Sequence, residues 1–215
     1  IEIPDLPKFV TIDVQNGNTV LLDANQIKGN FVRIRCDDEP QLDALTKQIT
    51  DMGAQAVQSE LVRDFAEGEI APHAERWDAE HTFPTDVVRH MGDLGLFGIP
   101  FPEEYGGGGA DLTTLCIAIE ALGRVDQSLA ITLEAGVGLG ATPIYRFGTE
   151  AQRQEWLPDL CAGRALAGFG LTEPEAGSDA GGTRTTARLE GDEWVIDGEK
   201  AFITNSGTDI TSLVT

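Results

Sequence analysis

The stretch "GLTEPEAGSDAGG", Gly170 to Gly182, decides how this 215-residue chain is read. It follows the apolar run "ALAGF" and places Thr172, a Glu-Pro pair, a Gly-Ser-Asp triplet and two more glycines in quick succession. An apolar run that stops abruptly at Gly and Pro predicts a strand over "ALAGFGLTE" that ends and wraps something polar. Thr172 and Ser178 offer hydroxyls, and Gly177 lets the main chain come close to a ligand and present N–H groups. Such an edge suits the carbonyls and pyrophosphate of a flavin. An ordinary polar loop between strands has the same composition.

A second stretch, "AFITNSG" from Ala201 to Gly207, adds to the first. Phe202 can lay an aromatic face against a planar ring. If "KAFITN" is a strand, Thr204 points to the same side as Phe202, where its hydroxyl can donate to a flavin N5. The alternative is a core phenylalanine and a surface threonine. Between the two stretches, Gly191-Asp192 turns "TRTTARL" into "EWVID", and Asp197-Gly198 turns that into "KAFITN". With "TSLVT" as a further strand, the meander leaves an unprotected edge. An antiparallel β domain cut off before closure is expected.

Upstream, from about residue 41 to 163, the period is helical. In "AVQSELVRDFAEGEI", Val57, Leu61, Val62, Phe65 and Ala66 share one face. Pro72 breaks the pattern, and a short helix through Trp77 is expected to follow. Pro84 opens a helix carrying Val87, Val88, Met91 and Leu94. Asp111 is placed to cap "LTTLCIAIEALGRV", and Ser128 to cap "LAITLEAGVGLGATPIYRFG". Thr149 and Gln152 have capping-box spacing, and Trp156, Leu157, Leu160 and Cys161 form an apolar stripe. Residues 1 to about 40 read as short strands, "KFVTIDV", "NTVLLDA" and "NFVRIRC", with Asn16-Gly17 as a hairpin signal between the first two.

Two glycine-rich segments invite other readings. "GVGLGA", Gly136 to Ala141, formally fits a dinucleotide fingerprint, with "LAITL" as its strand. Pro143 and Gly148 leave too little helix behind it, so small residues that let two helices approach closely are the better account. "EEYGGGGAD" has no Lys-Ser/Thr and is a connecting loop, not a P-loop.

Composition narrows the classes. Apolar residues make up 41%, which marks a globular chain. Fifteen basic residues against 36 acidic ones give a net charge of −21, which disfavours nucleic acid and anionic lipid as partners. No apolar run approaches the ~20 residues of a membrane span. The N-terminus shows no basic-then-apolar targeting pattern. Cys36, Cys116 and Cys161 are widely separated, which suggests a reduced, cytoplasmic setting with neither a zinc site nor a disulfide framework. The three histidines have no metal-ligand spacing.

Together, "LTEPEAGSD" and, about twenty residues on, "DGEKAFITNSG" resemble the paired signature of the acyl-CoA dehydrogenase family. "VRDFAEGEIAPHAERWD", "FPTDVVRHMGDLGLFGIPFPEEYGGGGAD" and "FGTEAQRQEWLPDLCAG" resemble its N-terminal helical domain. The likeness spans about residues 53–215. It implies an α+β fold: an all-α N-terminal bundle over 51–164, then a truncated antiparallel β-barrel over 165–215. The β-rich leader over 1–50 matches no part of the family pattern and stays unassigned. It implies FAD as cofactor. Phe169, Leu171 and Thr172 are then expected at the flavin ring and its pyrimidine edge. Ser178 is expected at the pyrophosphate side and the acyl-CoA, and Phe202, Ile203 and Thr204 over one ring face and at N5. The family often has Tyr or Phe where Phe169 stands and Trp where Phe202 stands.

The implied reaction is α,β-dehydrogenation of an acyl-CoA thioester in β-oxidation, with electron-transfer flavoprotein as acceptor and a homo-oligomer as the full-length form. No catalytic residue is assigned within the chain. The family's glutamate base belongs to a C-terminal helical domain absent from this sequence, so the chain is expected not to turn over alone. Glu173 and Glu175 belong to the binding motif. The resemblance leaves room for an acyl-CoA oxidase or flavin monooxygenase of the same fold, and for a non-catalytic truncated partner of a full-length relative.

Overall fold

The computed structural model describes Phe9–Val14, Phe31–Cys36 and residues 58–214. The chain divides into two compact units, Ile1–Thr82 with Gly109–Gln127, and Phe83–Gly108 with Ser128–Thr215.

In the first unit, strands β1 (Phe9–Val14) and β2 (Phe31–Cys36) pair in parallel, from Phe9 opposite Phe31 to Val14 opposite Cys36. The expected run "NTVLLDA" and its Asn16-Gly17 turn lie outside the described residues. Helix α1 (Gln58–Phe65) runs on into a π-helical segment, Ala66–Ile70. After Pro72 a short helix α2 (Ala74–Glu80) passes Trp77 as expected. Helix α4 (Leu112–Gly123) packs on α1. The buried residues of α4, Leu115, Ala118, Ala121 and Leu122, recur at three- and four-residue intervals and lie on one face. They share that interior class with Val62, Phe65, Ala66 and Ile70. Asp111 caps α4 as its position predicts, accepting from the Thr114 N–H at 2.9 Å.

The second unit opens with α3 (Thr85–Asp93), which starts straight after Pro84 and buries Val88 and Met91. Helix α5 (Gln127–Glu134) begins one residue before Ser128, so that serine sits in the first turn and not ahead of it. The preceding turn closes at Asp126, where the Val125 and Asp126 N–H groups both donate to the Leu122 carbonyl, and the helix starts directly after it. Helix α5 passes into a π-helical segment, Ala135–Ala141, and then α6 (Thr142–Phe147). The "LAITL" run is therefore helix, and the dinucleotide fold has no strand to stand on. Gly140 serves close packing, though against the strand Leu166–Phe169 and not a second helix: a methyl there would lie 2.2 Å from the Ala167 methyl.

Helix α7 (Glu150–Cys161) carries the complete capping box of Thr149 and Gln152. Leu157, Leu160 and Cys161 of its stripe are buried, while Trp156 is partly exposed. Tyr105, in the turn before the four glycines, donates to Glu150 Oε2 at 2.9 Å and packs edge-on against Tyr145. This fastens the glycine loop to the start of α7.

Four strands complete the unit: β3 (Leu166–Phe169), β4 (Thr186–Glu190), β5 (Glu193–Asp197) and β6 (Thr211–Val214). β4 and β5 form the expected antiparallel hairpin, turning at Gly191 with φ 65°. A helical part followed by a small antiparallel sheet matches the fold class the sequence implies. Two details differ. β6 pairs with β3 in parallel, Leu166 opposite Thr211, and not as the next rung of a meander. "KAFITN" forms no strand, because Phe202 and Asn205 adopt left-handed backbone at φ 56° and 69°, which an extended ladder cannot accommodate.

Candidate functional site

β3 is buried and leads straight to the first signature stretch. Beyond its end, the Thr172 carbonyl accepts from the Ala201 N–H at 2.8 Å, so the two stretches lie side by side. The contact is tight. A methyl on Gly170 would lie 3.3 Å from Lys200 Cγ and 3.5 Å from Ile203 Cδ1. Next comes a closed turn. Glu173 N–H donates to the Ala176 carbonyl at 3.0 Å, Ala176 N–H donates to the Glu173 carbonyl at 3.1 Å, and Pro174 begins the turn between them.

The Glu173 side chain is the centre of this arrangement. It is 7% exposed and accepts from four donors. These are Arg184 N–H at 2.6 Å, Thr185 N–H at 3.0 Å, Thr185 Oγ1 at 2.6 Å and Lys200 Nζ at 2.8 Å. Lys200 Nζ also donates to the Leu171 carbonyl at 3.0 Å. The Lys200 ammonium, then the Thr185 hydroxyl and the two backbone N–H groups, hold the Glu173 carboxyl at a pKa of about 2. A carboxylate so occupied is a brace and a poor proton acceptor. It joins the end of β3, the approach to β4 and the second stretch into one frame.

On that frame the candidate residues fall into two groups. Phe169, Thr172, Ile203 and Thr204 are half-buried. Leu171, Ser178 and Phe202 are exposed, Phe202 by 92% and Leu171 by 47%. Among the described residues, the hydroxyls of Thr172, Ser178 and Thr204 donate to no protein group. Gly177 is open, with nothing within 4 Å of an added methyl. The second stretch is a turn: Ser206 donates to the Ile203 carbonyl through both N–H and Oγ, at 3.2 and 2.7 Å. The period-two argument that puts Thr204 beside Phe202 therefore does not hold.

Three residues of the frame carry no sequence prediction: Lys200, Thr185 and Asn205. Lys200 is legible in hindsight as a lone cation between two glycine-bounded acidic stretches. Asn205 precedes Ser-Gly, and Asn is a residue that tolerates left-handed backbone.

The arrangement can hold a planar ring with polar edges. Phe202 is the test. A large aromatic side chain in left-handed conformation is an uncommon, strained state. Here it also leaves an apolar ring in water. Free hydroxyls and an open glycine stand on the same frame. Exposed apolar surface on a frame whose Thr172, Ser178 and Thr204 hydroxyls donate to no protein group suits an amphipathic aromatic group such as a flavin.

Comparison with known proteins shows the family. Residues 53–164 match the acyl-CoA dehydrogenase N-terminal domain, and residues 168–215 match the middle domain. A Bacillus subtilis protein named "Probable acyl-CoA dehydrogenase YngJ" is 54% identical over 156 residues, covering 73% of this chain and 41% of its own. A structure titled as the electron transferring flavoprotein of Acidaminococcus fermentans contains a chain that is 45% identical. It superposes with a TM-score of 0.69 over 71% of this chain and 40% of that one. An acyl-CoA dehydrogenase from Bacillus anthracis, solved complexed with FAD, is 37% identical with a TM-score of 0.65 over 79% of this chain and 27% of that one. The chain spans about two fifths of the length of the curated relatives it matches. From the paired signature, the helical domain before it and these matches, the chain belongs to the acyl-CoA dehydrogenase family.

Proposed function

We propose that this chain contributes the helical domain, residues 51–164, and part of the middle domain, residues 165–215, of an FAD-dependent acyl-CoA dehydrogenase. The observation that carries the reading is Phe202, held at φ 56° and 92% exposed on a frame otherwise tightly bonded. A fold that spends five hydrogen bonds through Glu173 and Lys200 to present an apolar ring to water is organised for something that covers it.

Phe169, Leu171 and Thr172 would hold the flavin ring and its pyrimidine edge, and Phe202, Ile203 and Thr204 one face and N5. Ser178 would serve the pyrophosphate side and the acyl-CoA. FAD, when bound, supplies hydride acceptance, which no side chain offers. The chain's own part is binding and orientation. The Thr172 and Thr204 hydroxyls supply directed donors, the apolar groups exclude water, and Glu173 with Lys200 fixes their spacing. Proton abstraction falls to a base other than Glu173, whose carboxyl is held at a pKa of about 2 by its four donors.

The family resemblance supports the wider reading. The substrate is an acyl-CoA thioester in β-oxidation, electron-transfer flavoprotein is the acceptor, and the whole enzyme is a cytoplasmic homo-oligomer. Among the described residues no helix is long and apolar enough to cross a membrane.

The test is direct. The purified chain is mixed with FAD and gel-filtered. Flavin absorbance travelling with the protein is expected, and Phe202→Ala should weaken it. Passage of all flavin in the small-molecule fraction, unchanged by the substitution, would defeat the proposal.

A further inference from the structure

Asn205 is the last residue of the family-like run "ITN", yet it is buried where Phe202 is exposed. It is 8% exposed, and its backbone is left-handed. Its Nδ2 donates to two carbonyls on different elements, Thr132 in α5 at 3.2 Å and Ala167 in β3 at 3.3 Å. Its own carbonyl accepts from the Thr211 hydroxyl at the start of β6. One residue thus ties a turn to a helix and two strands, reaching 73 residues back along the chain.

The places it reaches are informative. Thr132 stands three residues before the chain switches from α to π geometry, a change that recurs at functional sites. Gly136, just inside the π-helical segment, faces the same amide: a methyl there would lie at ordinary contact, 3.6 Å, from Asn205 Nδ2 and more tightly, 3.3 Å, against the Phe97 ring. Ala167 lies two residues before Phe169, the first of the proposed ring contacts. Asn205 Oδ1 is buried without a partner. A buried amide with an unused acceptor is costly, so the side chain is present for its two donors. An apolar residue would fill the space without that cost, and most non-glycine residues would resist the positive φ.

We infer that Asn205 is a positioning residue for the Phe202–Thr204 segment, clamping it to α5 and β3 while Lys200 clamps its other end. Phe202 buries almost nothing of its own, so its place is set by these two anchors and by the Ala201–Thr172 bond. The part of the inference that concerns the flavin rests on the reading above. The clamp itself does not.

The experiment uses the 215-residue chain with Asn205→Gly, which keeps the left-handed backbone and deletes the amide. Asn205→Asp, of the same size but without the donors, is the second variant should the first fail to fold. Hydrogen exchange, FAD titration, visible circular dichroism and thermal melting are measured. Hydrogen exchange should show faster exchange confined to residues 201–206 and the neighbouring stretch near Thr132. FAD titration should show affinity lowered about tenfold, the scale of losing one to two hydrogen bonds. The visible circular dichroism of flavin at saturation should also change. A merely structural residue would lower the melting temperature and leave that spectrum and affinity as in the wild type, which would overturn positioning. Exchange at 201–206 as fast in the wild type as at the Gly191-Asp192 turn would overturn the clamp. Should the wild-type chain bind no FAD, the flavin reading fails, and the exchange pattern of the variants alone decides whether Asn205 is a clamp.

Discussion

A methyl group on Gly107 would sit 2.0 Å from the Phe101 carbonyl oxygen, and one on Gly140 2.2 Å from the Ala167 methyl, whereas one on Gly177 would meet nothing within 4 Å. These glycines belong to two regions of one compact unit that are ordered by different means. The helices and loops around Phe97, Phe101 and Leu157 are ordered by close approach and apolar burial. The turns from Leu171 to Asn205 bury little and are ordered by donors and acceptors converging on Glu173 and Asn205. In the first region an added methyl at Gly107 or Gly140 meets backbone or a packed methyl. In the second a methyl on Gly198 would lie 2.2 Å from Thr185 Oγ1 while Gly177 is open, and single groups, the Glu173 carboxylate and the Asn205 amide, join segments far apart in the chain. This division is what a binding surface requires, since a ligand needs space at the rim and rigidity beneath it.

The largest effect that would separate the two regions comes from Gly107→Ala. The added methyl overlaps backbone, which cannot rotate away as a side chain can, so the loop must move. A loss of stability of about 1–3 kcal/mol, at the upper end of that range, is expected in thermal or denaturant unfolding. FAD bound per folded molecule should stay as in the wild type. Reduced flavin affinity without reduced stability would erase the distinction.

Glu173→Gln probes the other kind. The volume is kept, but the Lys200 ammonium loses its counter-charge, and a neutral amide replaces a carboxylate that accepts from four donors. Flavin affinity should fall more than stability. The pH dependence gives a second handle. The Glu173 carboxyl is lowered to a pKa of about 2 from an ordinary value of 4.5, so its contribution to stability is complete above the unfolded pKa. It is then lost as pH falls from about 4.5 through 2. The wild type should lose stability over that window. The Gln variant, less stable above it, should show a flatter acid limb. Parallel acid limbs in the two proteins would show that Glu173 braces nothing.

These predictions also mark what the sequence makes legible. Asp111 over Thr114, Thr149 with Gln152, and the Gly191-Asp192 hairpin all span three to five residues, and local chemistry alone determines them. The paired signature is visible because glycine, proline and threonine leave a pattern in one dimension. What the pattern omits is partner choice over distance. Lys200 finds Glu173 27 residues away, Asn205 finds Thr132 73 residues away, and β6 returns to lie parallel to β3. "KAFITN" has the composition of a strand, yet Phe202 and Asn205 take positive φ; Asn tolerates this locally, whereas no local propensity encodes it for Phe202. The π-helical segments are likewise silent in the sequence, since their residues are ordinary helix partners and glycines.

The smallest expected change in stability is the sharpest test of the comparison. Gly177 has empty space around it and no left-handed backbone to defend, so Gly177→Ala should alter stability by no more than about 0.5 kcal/mol. If the rim is shaped for a ligand, the same methyl takes up room the ligand needs and prevents the main chain from approaching it. Flavin or acyl-CoA affinity should then drop while the melting temperature holds, the reverse of Gly107→Ala. A variant indistinguishable from wild type in both measurements would leave Gly177 as loop filling, and would move the binding edge away from Ser178 toward Thr172 and Thr204.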